Sequence, residues 1–342
     1  MNARVAAILV VLLVVLGGGA LLYQQEERGR RPENVGSLGR TLFKDLKAAD
    51  IAVIRIIDPK GSLTLQLKDD RWVIAERAEF PADLSRVREF ALKVIGLKVG
   101  QSEPLGEKDR ARLNLDASGT RVEFKGADGK DLGAFIVGKK YFKRDVENPE
   151  KAIPDGRFVG LPDEAGTAYL IGDPLTQATV KTAEWIDRGS FQVEKVKTLQ
   201  VRYPGGEGWR IDRPADNAEW KLAGVKPGEK LDISRANAAS YSLSLLELAD
   251  VAPKGEAGTG LDKPVAVDAT TLGGTTYAIK VGKLAGENYY VTFTASGLKP
   301  EAKDAERVKL LSQHVMLIPK SKLEDTLKKR AELVEKKSNK KK

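Results

Sequence analysis

The sequence predicts an α+β fold in which an N-terminal transmembrane helix precedes two tandem copies of an antiparallel-sheet-plus-helix module. Nineteen residues from Val5 to Tyr23 carry no charge. Behind them, two stretches spell short strand-like runs in one order, and each leads through Asp-x-Ser-Arg into a helical stripe. Alternating apolar residues mark strands, and apolar recurrence every three to four residues marks helices.

Residues 1–23 read as a transmembrane signal-anchor. At a rise of about 1.5 Å per residue, such a helix reaches about 28 Å, close to the roughly 30 Å hydrocarbon core of a bilayer. Tyr23 stands where an interfacial aromatic belongs, followed by Gln24-Gln25-Glu26-Glu27-Arg28. A signal peptide cut near Gly18-Gly19-Ala20 competes with this reading, but the apolar run continues through Leu21-Leu22. The expected location is the inner (cytoplasmic) membrane, single-pass, with the body on the periplasmic, extracytoplasmic side. That orientation follows from the short N-terminus, because Arg4 before the segment and Arg28, Arg30 and Arg31 after it do not decide it. Residues 24–41 form a linker.

The first α+β repeat module takes residues 42–172. Its strand-like runs are Ile51–Ile56, Leu63–Leu67 and Trp72–Ile74, followed by Asp83-Leu-Ser-Arg86. The second module, residues 193–318, repeats the order with Val196–Val201, Trp209–Ile211, Trp220–Leu222 and Asp232-Ile-Ser-Arg235. Leu84, Val87, Ala91, Val94 and Ile95 match Ile233, Ala236, Ser240, Leu243 and Leu246 at helical spacing, and Asp83 and Asp232 stand where N-caps stand. Leu115-Asp116 matches Leu261-Asp262, and Phe135-Ile-Val-Gly-Lys139 matches Tyr277-Ala-Ile-Lys-Val-Gly-Lys283. Asp128-Gly129 and Gly273-Gly274 supply turns. A connector, residues 173–192, reads as helical from Leu175 to Trp185.

Residues 319–342 read as a basic helix and disordered tail, with Leu323, Leu327, Ala331 and Val334 on one face. The formal charge of +9 is concentrated here. From Lys320 to Lys342 ten Lys or Arg stand against four acids, so the remaining chain carries only +3. A near-neutral body with a basic tail, without interleaved aromatics, argues against nucleic acid as a partner. The tail is instead a candidate for anionic lipid contact.

Catalytic chemistry finds little footing. The chain has no cysteine and one histidine, His314, which excludes disulfides, thiolate nucleophiles and His-rich metal sites. Gly133-Ala-Phe-Ile-Val-Gly138-Lys139-Lys140 nearly spells a phosphate loop but lacks the Ser or Thr that follows the lysine there, and its middle is strand-like. Asp69-Asp70 and Asp128/Asp131 fit turns. Trp72 and Trp220, equivalent in the two modules, fit core packing better than a ligand platform. No catalytic, cofactor-binding or metal-binding residue is therefore assigned, and no cofactor is expected.

The N-terminal apolar segment, the strand-Trp-strand then Asp-x-Ser order, the Val-Gly-Lys strand ends and the Trp185-Ile-Asp-Arg188 junction resemble the bacterial domain of unknown function 4340 proteins. The resemblance covers nearly the whole chain. It implies an envelope protein associated with ABC transporters of the gliding-motility type and transfers no functional residue. The expected function is that of a membrane-tethered accessory or scaffold protein, held through residues 5–23, whose duplicated modules bind an envelope protein partner, candidates being ABC transporter subunits. The alternatives are a cell-wall or polysaccharide-active enzyme with dispersed carboxylates and an anionic polymer or lipid binder acting through the C-terminal basic helix.

Overall fold

The computed structural model describes residues 38–144, 152–189, 191–300, 302 and 304–335. Strands β1 (Val53–Asp58), β2 (Gly61–Lys68), β3 (Arg71–Ile74) and β4 (Phe80–Pro81) precede helix α1 (Leu84–Ile95). Then come β5 (Val99–Pro104), α2 (Glu107–Arg112), β6 (Thr120–Lys125), β7 (Asp131–Arg144), β8 (Ala152–Gly160) and β9 (Thr167–Ile171). The second series is β10 (Val196–Arg202), β11 (Gly208–Asp212), β12 (Lys221–Leu222), α3 (Ile233–Tyr241), β13 (Asp250–Val251), β14 (Val265–Thr271), β15 (Thr276–Ala285) and β16 (Asn288–Ser296). It ends with α4 (Ala305–Leu311), β17 (Met316–Pro319) and two single turns, α5 (Lys320–Leu323) and α6 (Arg330–Leu333).

Among the described residues, nine strands run in the order β4-β3-β2-β1-β6-β7-β8-β9-β5 and eight in the order β12-β11-β10-β14-β15-β16-β17-β13. Apart from β4, the two orders are the same. In each, a helix follows the first meander and carries the chain to the opposite edge, where the next strand joins the sheet. Asp83 and Asp232 start these helices. Asp83 Oδ1 accepts from the Ser85 and Arg86 amides, and the Asp232 carboxylate from the Arg235 amide, satisfying donors that a helix start leaves free.

Contacts group the chain into two compact units. The first takes the described residues up to Ala48 with Leu92–Val122 and Gly133–Ala178. Here β7, β8, β9 and β5 pair as antiparallel neighbours, and Leu113, Leu115 and Ala168 form a core with Leu105, Ile136 and Phe158. Residues 39–41 already pair with β5, through Gly39 N–H to the Val99 carbonyl at 2.7 Å and the Thr41–Lys98 bridge.

The second unit takes Ala49–Ala91, Glu123–Leu132 and the residues from Thr179 onward. It holds β1 to β4 and the whole eight-stranded sheet, with Ile54, Ile56, Leu63, Leu65, Leu199, Val201 and Ile211 fully buried. Burying each such side chain stabilises the fold by about 2 kcal/mol. Two short segments close its helix starts in the same way. Ile186 bridges to Ala82, and the Asp83 amide donates to the Trp185 carbonyl at 2.7 Å. Likewise Val334 bridges to Leu231, and the Asp232 amide donates to the Leu333 carbonyl at 2.9 Å. The two segments share a pattern, Lys-x-Ala-Glu followed by two large apolar residues and an acid, in Lys181-Thr-Ala-Glu-Trp-Ile-Asp187 and Lys329-Arg-Ala-Glu-Leu-Val-Glu335.

Several expectations are corrected. Among the described residues the fold is not the expected α+β but mostly two antiparallel sheets with few helices, the longest being the twelve-residue α1. Among the described residues no helix is long and apolar enough to cross a membrane, and the segment expected to do so, 5–23, lies outside them, as does the tail 336–342. The connector is not a helix. Leu175 has φ 45°, and only Thr182–Glu184 makes a 3-10 turn, because β-branched Thr179, Val180 and Thr182 disfavour helix in this short stretch. Nor is 320–335 one basic helix. Thr326 is fully buried and donates to the Ala239 carbonyl at 2.7 Å, and Lys329 is extended at φ −70°, ψ 159°. Tertiary hydrogen bonds thus split the apolar stripe into two turns.

Candidate functional site

A cleft of about 770 Å³ opens in the second unit between the strand approach Gln192–Val196 and the helix α3. Its floor is built from paired groups. Trp220 is 3% exposed and donates its indole N–H to Asn237 Oδ1 at 3.0 Å. Arg213 lies over the Trp220 ring, 4.5 Å from its centroid. Its guanidinium donates to the Val196 carbonyl at 2.7 Å and to Asp216 Oδ1 at 2.6 Å. One wall is α3 with Asn237, Ser240 and Tyr241, continued by Ser244 and Leu245. Tyr241 is 78% and Leu245 39% exposed, so the rim is apolar and unpacked. The opposite wall is fixed by the Val193 amide donating to the Leu243 carbonyl at 3.0 Å.

The sequence candidates sit elsewhere, apart from Trp220. Gly138 and Lys139 occupy a strand, not a phosphate loop. A Cβ on Gly138 would collide with the Leu113 carbonyl oxygen and come within 2.7 Å of Leu115 Cδ2. The Lys139 amide donates to that same carbonyl at 2.8 Å. Gly282 and Lys283 repeat the arrangement against the Thr259 carbonyl, with the Lys283 amide at 2.7 Å. The Val-Gly-Lys signature thus marks where a loop crosses the strand, and only glycine leaves room for it.

His314 faces two carbonyl oxygens, Nδ1 at 2.9 Å from Leu310 and Nε2 at 3.3 Å from Ala78, and meets the Phe80 ring edge-on at 5.1 Å. It stands apart from the cleft lining. Asp69 and Asp70, both at positive φ, form the β2–β3 turn, and Asp128 accepts from the Lys130 amide in the turn before β7. Trp72 lies in β3, half-buried. Of the basic stretch, Lys322 pairs with Glu247, Lys328 with Asp325 and Arg330 with Glu229. The Trp209 indole and the Tyr203 hydroxyl donate to the Lys328 and Leu327 carbonyls at 2.7 and 2.5 Å. Burial of its hydroxyl pushes Tyr203 up to about 12.

Apart from Trp220, the cleft residues were not singled out in the sequence. Gln192–Val196, Arg213 with Asp216, and Asn237 with Tyr241 come from three separate stretches, and no motif joins them. Among the described residues no group of acidic and histidine side chains could hold a metal ion.

A model of the domain of unknown function DUF4340 matches residues 72–264, more than half of the chain. The matched span contains both Asp-x-Ser-Arg helix starts, the connector and every residue lining the cleft. Searches among curated proteins and among solved structures gave no match. The chain belongs to the DUF4340 family, whose defining domain is one of unknown function.

Proposed function

We propose that the chain is a non-enzymatic accessory protein of the cell envelope that binds a protein partner, with the cleft beside α3 as its contact surface. The observation that carries this reading is the cleft's rim. Tyr241 and Leu245 are exposed above a floor whose guanidinium and indole are already engaged. Tyrosine is among the side chains that most often anchor protein interfaces, and a partner seated over the cleft would bury Tyr241. The uncharged run 5–23 supports association with the inner membrane, with the body on the extracytoplasmic side. The family resemblance supports subunits of an ABC transport system as the partner class.

The test is recovery of a partner from solubilised membranes by the tagged full chain and by Tyr241→Ala with Leu245→Ala. The reading expects one reproducible partner that the double variant loses while its thermal unfolding is unchanged. Equal recovery by both chains, or no reproducible partner, overturns it.

One observation favours a second reading. Glu194 and Asp216 both line the cleft, and a polysaccharide-active enzyme uses two carboxylates. Asp216, however, is held by Arg213 at 2.6 Å. Release of reducing ends from wall polysaccharide, lost in Glu194→Gln, would establish that reading. Contact of the lysine-rich run 336–342 with anionic lipid is a separate proposal, tested by comparing vesicle binding of the full chain with one ending at Glu335.

A further inference from the structure

The first sheet carries a longer hairpin than its counterpart in the second. Val137 faces Val159 across β7 and β8, as Val281 faces Val291 across β15 and β16. Between the first pair lie twenty-one residues, 138–158, and between the second nine, 282–290, so the first hairpin is longer by twelve.

The neighbouring strands do not accompany this arm. Gly119, one residue before β6, already lies against Ile136 and Val137, where a Cβ would be 2.7 Å from Ile136 Cγ2. The partner of Ile171, the last residue of β9, is Arg157. From Lys140 to Arg144 and from Ala152 to Asp155 the two strands therefore extend past both neighbours while pairing with each other. An unaccompanied strand leaves every second N–H and C=O pointing outward. The two strands are not equal, because β8 carries Pro154, which has no N–H, opposite Phe142. The β7 edge has no proline.

That edge is strongly cationic. Lys139 and Lys140 are exposed, and Lys143, also exposed, reaches Asp155 at 2.8 Å. Among them Phe142 is 48% exposed, with Tyr141 set edge-on to Phe158 at 5.9 Å. Lysines along an edge repel an identical edge, which guards against self-association. An acidic strand meets attraction instead, and Phe142 offers it an apolar contact. We propose that the β7 edge of this arm from Lys140 to Lys143, beyond Lys139, whose amide the Leu113 carbonyl already takes, receives an extended acidic segment of a partner protein by strand addition. The proposal rests on the reading of the chain as a partner-binding protein but uses no residue of the cleft. An anionic lipid surface would match the charge and leave the outward backbone groups unused.

The test uses the purified full chain and a fluorescent peptide of about eight residues, an ordinary strand length, alternating glutamate and valine. A second peptide replaces each valine by proline, keeping the charge and removing N–H donors. The expected result is saturable binding of the first peptide and slower amide exchange in residues 140–144. Binding should be about tenfold weaker both for the proline peptide and for Lys139→Glu with Lys140→Glu. Equal binding of the two peptides would reduce the interaction to charge and overturn strand addition. So would exchange protection by phosphatidylglycerol vesicles but not by peptide, or no saturable binding. Loss of partner recovery in the Tyr241 and Leu245 variant is read independently, so failure of one reading does not mimic failure of the other.

Discussion

Asp250 holds both ends of the Arg77 guanidinium fork, Nε at 3.1 Å and Nη2 at 3.0 Å, across 173 positions of sequence. The same carboxylate accepts the Thr182 hydroxyl at 2.6 Å and the Val251 amide at 2.8 Å. Side-chain exposures of 20% and 15% keep the pair largely out of water. Thr182 opens the closing turn at Trp185, so one carboxylate ties that turn to the first meander and to β13.

Removing one partner of such a pair leaves an uncompensated charge. Asp250→Ala is expected to lower stability by about 3 kcal/mol, with Arg77→Met together with Asp250→Leu recovering much of the loss. Urea unfolding of the wild type, Arg77→Met, Asp250→Leu and the double variant measures this cycle, and additivity of the two single changes would contradict a coupled pair.

The segment 320–335 is structural rather than a free basic tail. Leu323, Thr326 and Leu333 are fully buried, and Lys328 and Leu327 carbonyls receive Trp209 and Tyr203. Ending the chain at Pro319 should therefore cost several kcal/mol, because each large buried side chain lost costs about 2 to 5. Ending it at Glu335 should leave the unfolding midpoint of the remaining fold unchanged. Thermal unfolding distinguishes the two truncations.

Within that segment Arg330 holds the Glu229 carboxylate down to about 2 from an ordinary value of 4.5. Its folded value is depressed, so its stabilisation is present above pH 4.5 and lost as pH falls towards 2. Glu229→Gln should flatten the acid limb of stability between those two values and leave the neutral region's slope alone. Chemical denaturation at stepped pH reads this directly, and an unchanged acid limb would remove the pair from the account.

Gly138→Ala and Gly282→Ala should each destabilise by about 1 to 3 kcal/mol through overpacking against the crossing loop. Lys139→Ala should be nearly neutral, since its main-chain amide makes the contact. Nucleotide binding by the wild-type chain, lost in Lys139→Ala, would restore the phosphate-loop reading that the strand geometry displaces.

Much of the strand layout was legible because alternation is a local signal. The runs at Ile51, Leu63, Trp72, Val196 and Trp209 became strands, and Asp83 and Asp232 became caps. The helices were overread where apolar spacing met a tertiary constraint. Thr326 turns inward to the Ala239 carbonyl, a contact across 87 positions that periodicity cannot register. The match of Lys181–Asp187 with Lys329–Glu335 was present in the sequence and hidden, because one copy reads as a connector and the other as a basic tail. The cleft was illegible for a different reason. Its walls come from stretches that only the crossover through α3 brings together, and its side chains follow no spacing.

The central claim is that the rim of this cleft touches a protein partner. A photo-crosslinking phenylalanine analogue placed at Tyr241 of the full chain, in living cells, tests it most directly, with Leu67, also exposed, as the control position. One discrete crosslinked protein is expected from position 241, absent from position 67 and diminished when Leu245 is changed to Ala. No discrete product from position 241, or the same products from both positions, would contradict it.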